Sequence, residues 1–359
     1  MSDTFRELLK KVGSGPHTNE PLSRSEAAQA MAMMLRQEAT PAQIGAFLIA
    51  HRIRRPTGEE LAGMLDAYDQ WGPKLQPESF DHPVTVLGIP YDGRSRTAPI
   101  SPLTTLMLAA AGCPVVLHGG DRLPTKYGVP LTEVWQGLGV DWTQLSLAQV
   151  QRVFRQSRIG FVYLPHHFPL AQGLVPYREQ LGKRPPIATL ELIWAPYAGD
   201  MQIVAGYVHP PTERMFEDAL TRRGVKRYLT VKGLEGSCDL PRDRTAILGV
   251  YQTQAEPYFE RQLLVPRDYD LAGREAPLED LPKLTEDLQS VLQGQPGELM
   301  DAAIWNGGCY LWHCGACPDL NAGLALAEKL LVQGAAARQL AELQRAIAHS
   351  PAEQPVQNP

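Results

Sequence analysis

The chain has 359 residues, of which 44% are hydrophobic and 20% charged, with a formal charge of −5. This is ordinary globular composition, long enough for one large domain and a smaller one, and it excludes a fibre and wholesale disorder. The mildly acidic total does not advertise a nucleic-acid or membrane binder, although a basic groove can exist within an acidic total. The opening MSDTFRELLKKVGSG has no apolar h-region, and no uncharged run approaches the ~20 residues that cross a bilayer. We therefore expect a cytoplasmic protein without a membrane partner.

Residues 1 to about 75 show helical periodicity throughout. FRELLKKV, SRSEAAQAMAMMLRQ, TPAQIGAFLIAHRIR and TGEELAGMLDAY each place apolar residues at three- and four-residue spacing. Ser23 or Ser25, Thr40 with Gln43, and Thr57 with Glu60 have the form of helix N-caps, the last two as capping boxes. The apolar set Ala27, Met31, Met34, Ile44, Phe47 and Leu48 exceeds what one short helical unit needs for its own core, which predicts a homodimer through these helices. Pro73, Pro77 and Pro83 then mark a linker.

The stretch Val84 to Gly120 organises the rest of the chain. Val84 to Leu87 predicts a short buried strand that opens at Gly88 into a polar turn carrying Asp92, Gly93, Arg94, Ser95 and Arg96. Ser101 and Pro102 predict the start of a nearly uncharged, buried helix ended by Gly112, and Pro114 to Leu117 predicts a second strand ending in His118, Gly119 and Gly120. Both glycine turns then lie on the carboxyl side of parallel strands, the edge where open α/β sheets bind ligands. Close backbone approach, a helix N-terminus and the cations Arg94 and Arg96 would favour an anion there. Isolated glycines more often just close turns.

Beyond Gly120, the pattern predicts a loop, two helices (LTEVWQG and SLAQVQRVFRQ), the strand IGFVYLP, a helical segment bearing Arg178, Lys183 and Arg184, and the strands MQIVAGYV and RYLTVKG around a helix TERMFEDALTRRG. Such alternation predicts an α/β domain with a mainly parallel central sheet, spanning about 80–345. LNAGLALAEKLLVQGAAARQLAELQRAI reads as one last helix before a disordered tail, 346–359. The cysteines are Cys113, Cys238, Cys309, Cys314 and Cys317, an odd number that disfavours a disulfide framework. Cys309, His313, Cys314 and Cys317 offer four metal-ligand types in one short run, but small buried cysteines are the favoured reading.

These segments carry a family resemblance. EAAQAMAMMLRQEATPAQIGAFLIAHR resembles the N-terminal helices of anthranilate phosphoribosyltransferase and its relatives, nucleoside phosphorylases sharing the broad fold. Gly88, Asp92 and Gly93 fall where that family has its diphosphate loop, Ser101 fits its phosphate-binding serine, and AAAGCPVVLHGG resembles its next strand and turn. Pro169, Arg178, Leu181, Gly182 and Arg184 follow its acceptor-binding segment, and VKGLEGSCDL resembles its metal-carboxylate segment. The resemblance implies a helical domain, 1–75, completed by a segment near 168–186, beside the α/β domain. It also implies displacement of pyrophosphate from phosphoribosyl pyrophosphate by an amine, with Mg2+ on the diphosphate. The implied ligand contacts are Gly88, Asp92, Gly93, Arg94, Arg96, Ser101, His118, Gly119, Gly120, Lys126 and Arg178, with Asp239 as the metal ligand.

The motifs depart from the family at chemically sensitive places. Gly-Thr-Gly-Gly-Asp-Gly has become Gly88-Ile89-Pro90-Tyr91-Asp92-Gly93, where the proline has no N–H to donate. Lys-His-Gly-Asn has become Leu117-His118-Gly119-Gly120, and Phe168 stands where a histidine is expected near the acceptor. Cys238 and Asp239 replace the paired acidic ligands, and a thiol weakens a site for a hard cation, so Mg2+ binding is expected to be weak or lost. The leading expectation is a phosphoribosyltransferase-type protein binding a phosphorylated ribose at the sheet edge. One alternative is a non-catalytic single-stranded nucleic-acid binder, as a divergent branch of the family suggests, with Lys232, Arg242 and Arg244 joining Arg94, Arg96 and Arg178 along a phosphate-tracking groove. Another is a nucleoside phosphorylase-like enzyme.

Overall fold

The structure, a computed structural model, describes residues 3–15, 17–253 and 257–350. Four helices open the chain: α1 (Asp3–Gly13), α2 (Arg24–Leu35), α3 (Pro41–Arg54) and α4 (Gly58–Trp71). Ser23, rather than Ser25, caps α2, and Thr40 and Thr57 cap α3 and α4, each in a complete capping box. Glu60 serves two purposes. Beyond boxing the α4 cap it accepts the Leu22 amide at 2.9 Å and pairs with Arg54, so one buried carboxylate ties α2's approach to α3 and α4. Ala27, Met31, Met34, Ile44, Phe47 and Leu48 are all buried inside this bundle and its contacts. They are therefore no free face, and the surplus on which the dimer expectation rested is consumed as internal core.

The α/β domain is a seven-stranded sheet of order β3-β2-β1-β4-β5-β6-β7. Its strands are β1 (Val84–Gly88), β2 (Val115–Gly119), β3 (Ile159–Tyr163), β4 (Met201–Gly206), β5 (Arg227–Val231), β6 (Ala246–Thr253) and β7 (Pro257–Leu264). The first five are parallel, and β6 and β7 add antiparallel at one edge. Helix α5 (Ser101–Ala110) joins β1 to β2 and is almost wholly buried, as its lack of charge demands. The chain starts in the sheet's middle, runs out to β3 and returns to β4, which makes the carboxyl ends of β1 and β4 a topological switch point.

The predicted final helix is two, Leu320–Val332 and Ala335–Ala348, because Gly334 turns left-handed between them. The second continues through Ala348, past 345; the predicted tail from Pro351 onward lies outside the described residues. The helical bundle docks through α4 on the helix Pro210–Arg222. There Arg24 donates to the Arg222 carbonyl at 2.9 Å and Arg223 pairs with Asp66 and Asp69. The helix Val175–Leu181 lies against the bundle, with the Tyr177 hydroxyl donating to Gln37 at 2.8 Å. No helix of the described residues is long and apolar enough to cross a membrane.

Candidate functional site

The β1–α5 turn and the loop after β5 meet over the carboxyl edge, and two acidic residues organise them. Asp239 is buried. Its Oδ2 accepts from Arg94 at 2.5 Å and from the Ile100 amide at 3.0 Å, while Oδ1 accepts from the Ser101 hydroxyl at 2.9 Å. Glu235 takes the amides of Ser95, Arg96 and Thr97 at 3.0–3.1 Å, Lys126 Nζ at 2.5 Å and Arg94 Nε at 3.3 Å. Burial raises the Glu235 carboxyl's proton affinity, but the Lys126 hydrogen bond and the Arg94 charge outweigh it and hold the group well below the ordinary carboxylate range. Glu235 sits at φ 53 in a tight turn.

Arg94 and Lys126, expected to receive an anion from solution, are thus satisfied by the chain's own carboxylates. Arg96 alone of the loop cations projects outward, its side chain 77% exposed and 3.9 Å from Glu235. The glycines confirm the crowding. A Cβ on Gly88 would lie 1.9 Å from the Leu192 carbonyl, and Gly93, at φ +75, has Gly128 backbone against it. Their smallness admits neighbouring chain rather than a ligand. Pro90 and Tyr91, which replace family glycines, and Ile89, which replaces the family threonine, are buried in the same place.

The remaining predicted contacts are also turned inward. Asp92 pairs with Arg184 at 3.0 Å. His118 is fully buried and shares a hydrogen bond with the Tyr91 hydroxyl; burial pulls its pKa down to about 3. The Gly119-Gly120 turn is closed by the Thr132 hydroxyl donating to the Gly120 carbonyl at 2.8 Å. Arg178, expected on an acceptor, is buried and paired with Glu191, although its Nε and Nη1 have no hydrogen-bond partner among the described residues. Phe168 packs against Tyr68 and Trp194. Glu191 and Glu235 were missed as site residues. Glu235 stood inside VKGLEGSCDL, four residues before Asp239, but a sequence does not say which cation reaches it.

The nucleic-acid set is not assembled either. Arg242 is buried and pairs with Glu298 at 2.9 Å and Asp301 at 3.0 Å, Arg244 pairs with its neighbour Asp243 at 2.7 Å, and Lys232 is half-buried after β5. With Arg94 and Arg178 buried as well, these groups do not form one exposed track.

Beside the closed loop the edge opens. A cavity of about 520 Å³ lies beyond β4, between the end of α3 and the start of the helix Pro210–Arg222, with Arg52, Arg55, Arg184, Tyr207, His209 and Gly236 among its walls. Its lining contains no carboxylate. Arg52 donates to the Arg184 carbonyl at 2.8 Å, which holds the two cationic segments together. Arg52, Arg55 and Lys183 are exposed, and none has an ion-pair partner among the described residues. Another cavity, of about 460 Å³, opens at the opposite edge of the sheet, where Asp69 neutralises Lys74 and Arg223.

The helical bundle beside a mainly parallel sheet, with its turns gathered over the switch point, defines a glycosyl transferase architecture. Residues 6–72 match the helical bundle domain of the glycosyl transferase family and residues 92–337 match its α/β domain. Similarity extends over nearly the whole chain to anthranilate phosphoribosyltransferases: that of Afipia carboxidovorans is 31% identical, covering 96% of this chain and 98% of the relative, and that of Verminephrobacter eiseniae is 29% identical, covering 89% and 92%. The chain belongs to the anthranilate phosphoribosyltransferase family. The fold matches the Thermus thermophilus enzyme with a TM-score of 0.76 at 24% identity, covering 97% of this chain and 100% of that one. It also matches the Saccharomyces cerevisiae enzyme in complex with phosphoribosyl pyrophosphate and Mg, with a TM-score of 0.82 at 16% identity, covering 97% and 99%.

The residues at the corresponding segment of this chain do not fit a Mg2+ ion. Both Asp239 oxygens and both Glu235 oxygens are engaged by cations, amides or a hydroxyl. The Cys238 thiol donates instead to the carbonyls of Gly88 and Val204 at 3.3 Å, and burial pushes its ionisation up, opposite to what a metal-bound thiolate requires. Among the described residues no group of three or more histidine, cysteine or acidic side chains is arranged to hold a metal, the 309–317 run included.

Proposed function

We propose that this chain is a ligand-binding member of the phosphoribosyltransferase family in which Mg2+-dependent transfer is lost, and that its ligand is a phosphorylated ribose held in the cleft beyond β4. The observation that carries the reading is the contrast in charge along one edge. The diphosphate loop is closed by Arg94, Lys126, Asp239 and Glu235, while the adjacent cavity has no carboxylate in its walls and, with Arg184 held by Asp92 behind it, leaves Arg52 and Arg55 beside His209 with no ion-pair partner among the described residues. Cations without an acid beside them, around a concave and partly apolar site, favour a phosphate group next to a sugar or base. Family chemistry asks the protein mainly for positioning and metal-bound charge neutralisation, and the second of these has no free donors here.

A second reading, a single-stranded nucleic acid as the form in which phosphorylated ribose is bound, is favoured by Arg52 and Arg55 in the cleft wall and by Lys183, the neighbour of Arg184 in sequence, all three exposed and without an ion-pair partner among the described residues. Calorimetric titration separates the two. A mononucleotide or phosphoribosyl pyrophosphate that binds saturably, equally with and without Mg2+, supports the first. An oligonucleotide that binds with an affinity falling steeply with salt, while small ligands do not bind, supports the second. Mg2+-dependent turnover with an amine acceptor would overturn both. The expected homodimer would need a face other than the buried six of the bundle, and sedimentation equilibrium at micromolar concentration decides it.

A further inference from the structure

Three of the five cysteines converge far from the cleft. Cys113 stands in the turn between α5 and β2, directly after Gly112, and is fully buried. Cys314 caps the carboxyl end of the helix Glu298–His313, and its sulfur lies 2.8 Å from that of Cys113. This is a hydrogen-bonded thiol pair within an ångström of the about 2.05 Å of a bonded pair. Cys317 follows in Cys314-Gly315-Ala316-Cys317 and is half-buried, so it is the member within reach of solvent. The turn is tight: Gly315 is left-handed, and the amides of Ala316 and Cys317 both return to the Leu311 carbonyl, at 3.0 and 3.2 Å. Cys238 and Cys309 are buried elsewhere and have no thiol neighbour among the described residues.

We propose that Cys113, Cys314 and Cys317 form a thiol–disulfide exchange site whose oxidised product is a buried Cys113–Cys314 disulfide. The oxidant is a small-molecule disulfide of the glutathione class. The Cys317 thiolate attacks one of its sulfurs, forming a mixed disulfide and releasing one thiol. Cys314 then attacks the Cys317 sulfur and releases the second small thiol, giving Cys314–Cys317. Cys113 finally attacks the Cys314 sulfur, forming Cys113–Cys314 and returning Cys317 as a thiol. In sum two protein thiols are oxidised and one disulfide is reduced to two thiols, with their two protons passing to the leaving thiolates.

Access rather than acidity makes Cys317 the entry thiol, since partial burial and the neighbouring Cys314 push its own pKa up. Within the buried pair the hydrogen bond with Cys113 pulls the pKa of Cys314 down, making it the member that ionises first, whereas the same bond and burial push Cys113 up. The consequence reaches the closed loop through one helix. One turn before Cys314, Tyr310 donates to the Cys238 carbonyl, Asn306 accepts the Leu240 amide at 2.7 Å, and Trp305 donates to the Pro241 carbonyl at 3.1 Å. Linking Cys314 to Cys113 therefore fixes, between α5 and that helix, the segment that carries Asp239.

The test is thiol alkylation and non-reducing peptide mapping of the native wild-type chain after incubation with oxidised glutathione. The expected result is loss of two of the five free thiols, a Cys113–Cys314 cross-link reversed by dithiothreitol, and a raised urea midpoint. Cys317→Ser should slow cross-linking at least tenfold, and Cys113→Ala should halt oxidation at Cys314–Cys317. Cys309→Ala should change neither rate nor product. Five thiols still free after hours, a map in which Cys314–Cys317 is the final wild-type product, or an unaltered rate in Cys317→Ser would overturn the proposal. The wild-type map needs no variant to fold.

Discussion

The carboxyl edge of this sheet has two halves of opposite character. Over β1 and β5 the charges are buried and mutually satisfied: Arg94 between Asp239 and Glu235, Lys126 on Glu235, Arg184 on Asp92. Beyond β4 the walls are cationic, open and without acids. An anion site is therefore not read from how many basic residues a loop holds. What counts is whether the fold brings carboxylates to them first, since a cation already paired in a low-dielectric site gains little from a ligand.

The largest effect should come from breaking the closed half. Arg94→Met leaves Asp239 and Glu235 buried without their shared cation, and an uncompensated buried charge costs about 3–5 kcal/mol. Urea unfolding should show that loss, and a loss under about 1 kcal/mol would mean that solvent reaches the pair and that the loop is open after all. Arg178→Met, which strands Glu191 in the same way, should destabilise comparably while leaving phosphate-ligand affinity within twofold.

Acid should separate the halves next. His118 is pulled down to about 3 from an ordinary 6.5, so below pH 6.5 the unfolded chain takes up a proton that the folded chain refuses. Stability then falls with decreasing pH by about 1.4 kcal/mol per unit for that one proton. Glu235, whose folded value is depressed, contributes stability that is complete above its ordinary 4.5 and is lost as pH falls below it, which steepens the acid limb. Urea midpoints between pH 7 and 5 in His118→Gln should lose most of the slope; an unchanged slope would place the titration elsewhere.

Substitutions in the open half should act on binding and hardly on the fold. Arg52→Ala, on an exposed side chain, should weaken a bound mononucleotide or oligonucleotide about tenfold by calorimetry, the loss of one charge-assisted contact, with the unfolding midpoint unmoved. Equal affinity would exclude the cleft as the site. The smallest effect is expected from Mg2+: adding or chelating it should change ligand affinity less than twofold, and a tenfold gain would show that Asp239 leaves Arg94 for the metal.

Much of the fold was legible because its signals are local. Capping boxes at Thr40 and Thr57 and the apolar runs of the parallel strands are written within a few residues each, while the choice of Ser23 over Ser25 as the first cap came from the structure. β6 and β7 were not read. In β7, at the sheet's antiparallel edge, Glu260 and Arg261 interrupt the apolar run, so it lacks the signature of a buried parallel strand, whereas β6 carries the run Ala246 to Tyr251, as apolar as those of the parallel strands.

By itself the sequence determined the helices, the parallel strands, the family and the fact that its diphosphate and metal motifs have changed. Only the tertiary structure decided what the changed residues do. Arg94 and Asp239 are 145 positions apart, Gly88 meets Leu192, and Ala27, Met31 and Phe47 are core rather than interface. Periodicity and capping act over one or two turns of chain, so composition and spacing reveal them. The partner of a charge or an apolar face is chosen by which distant segments the sheet brings together, and that depends on the whole topology.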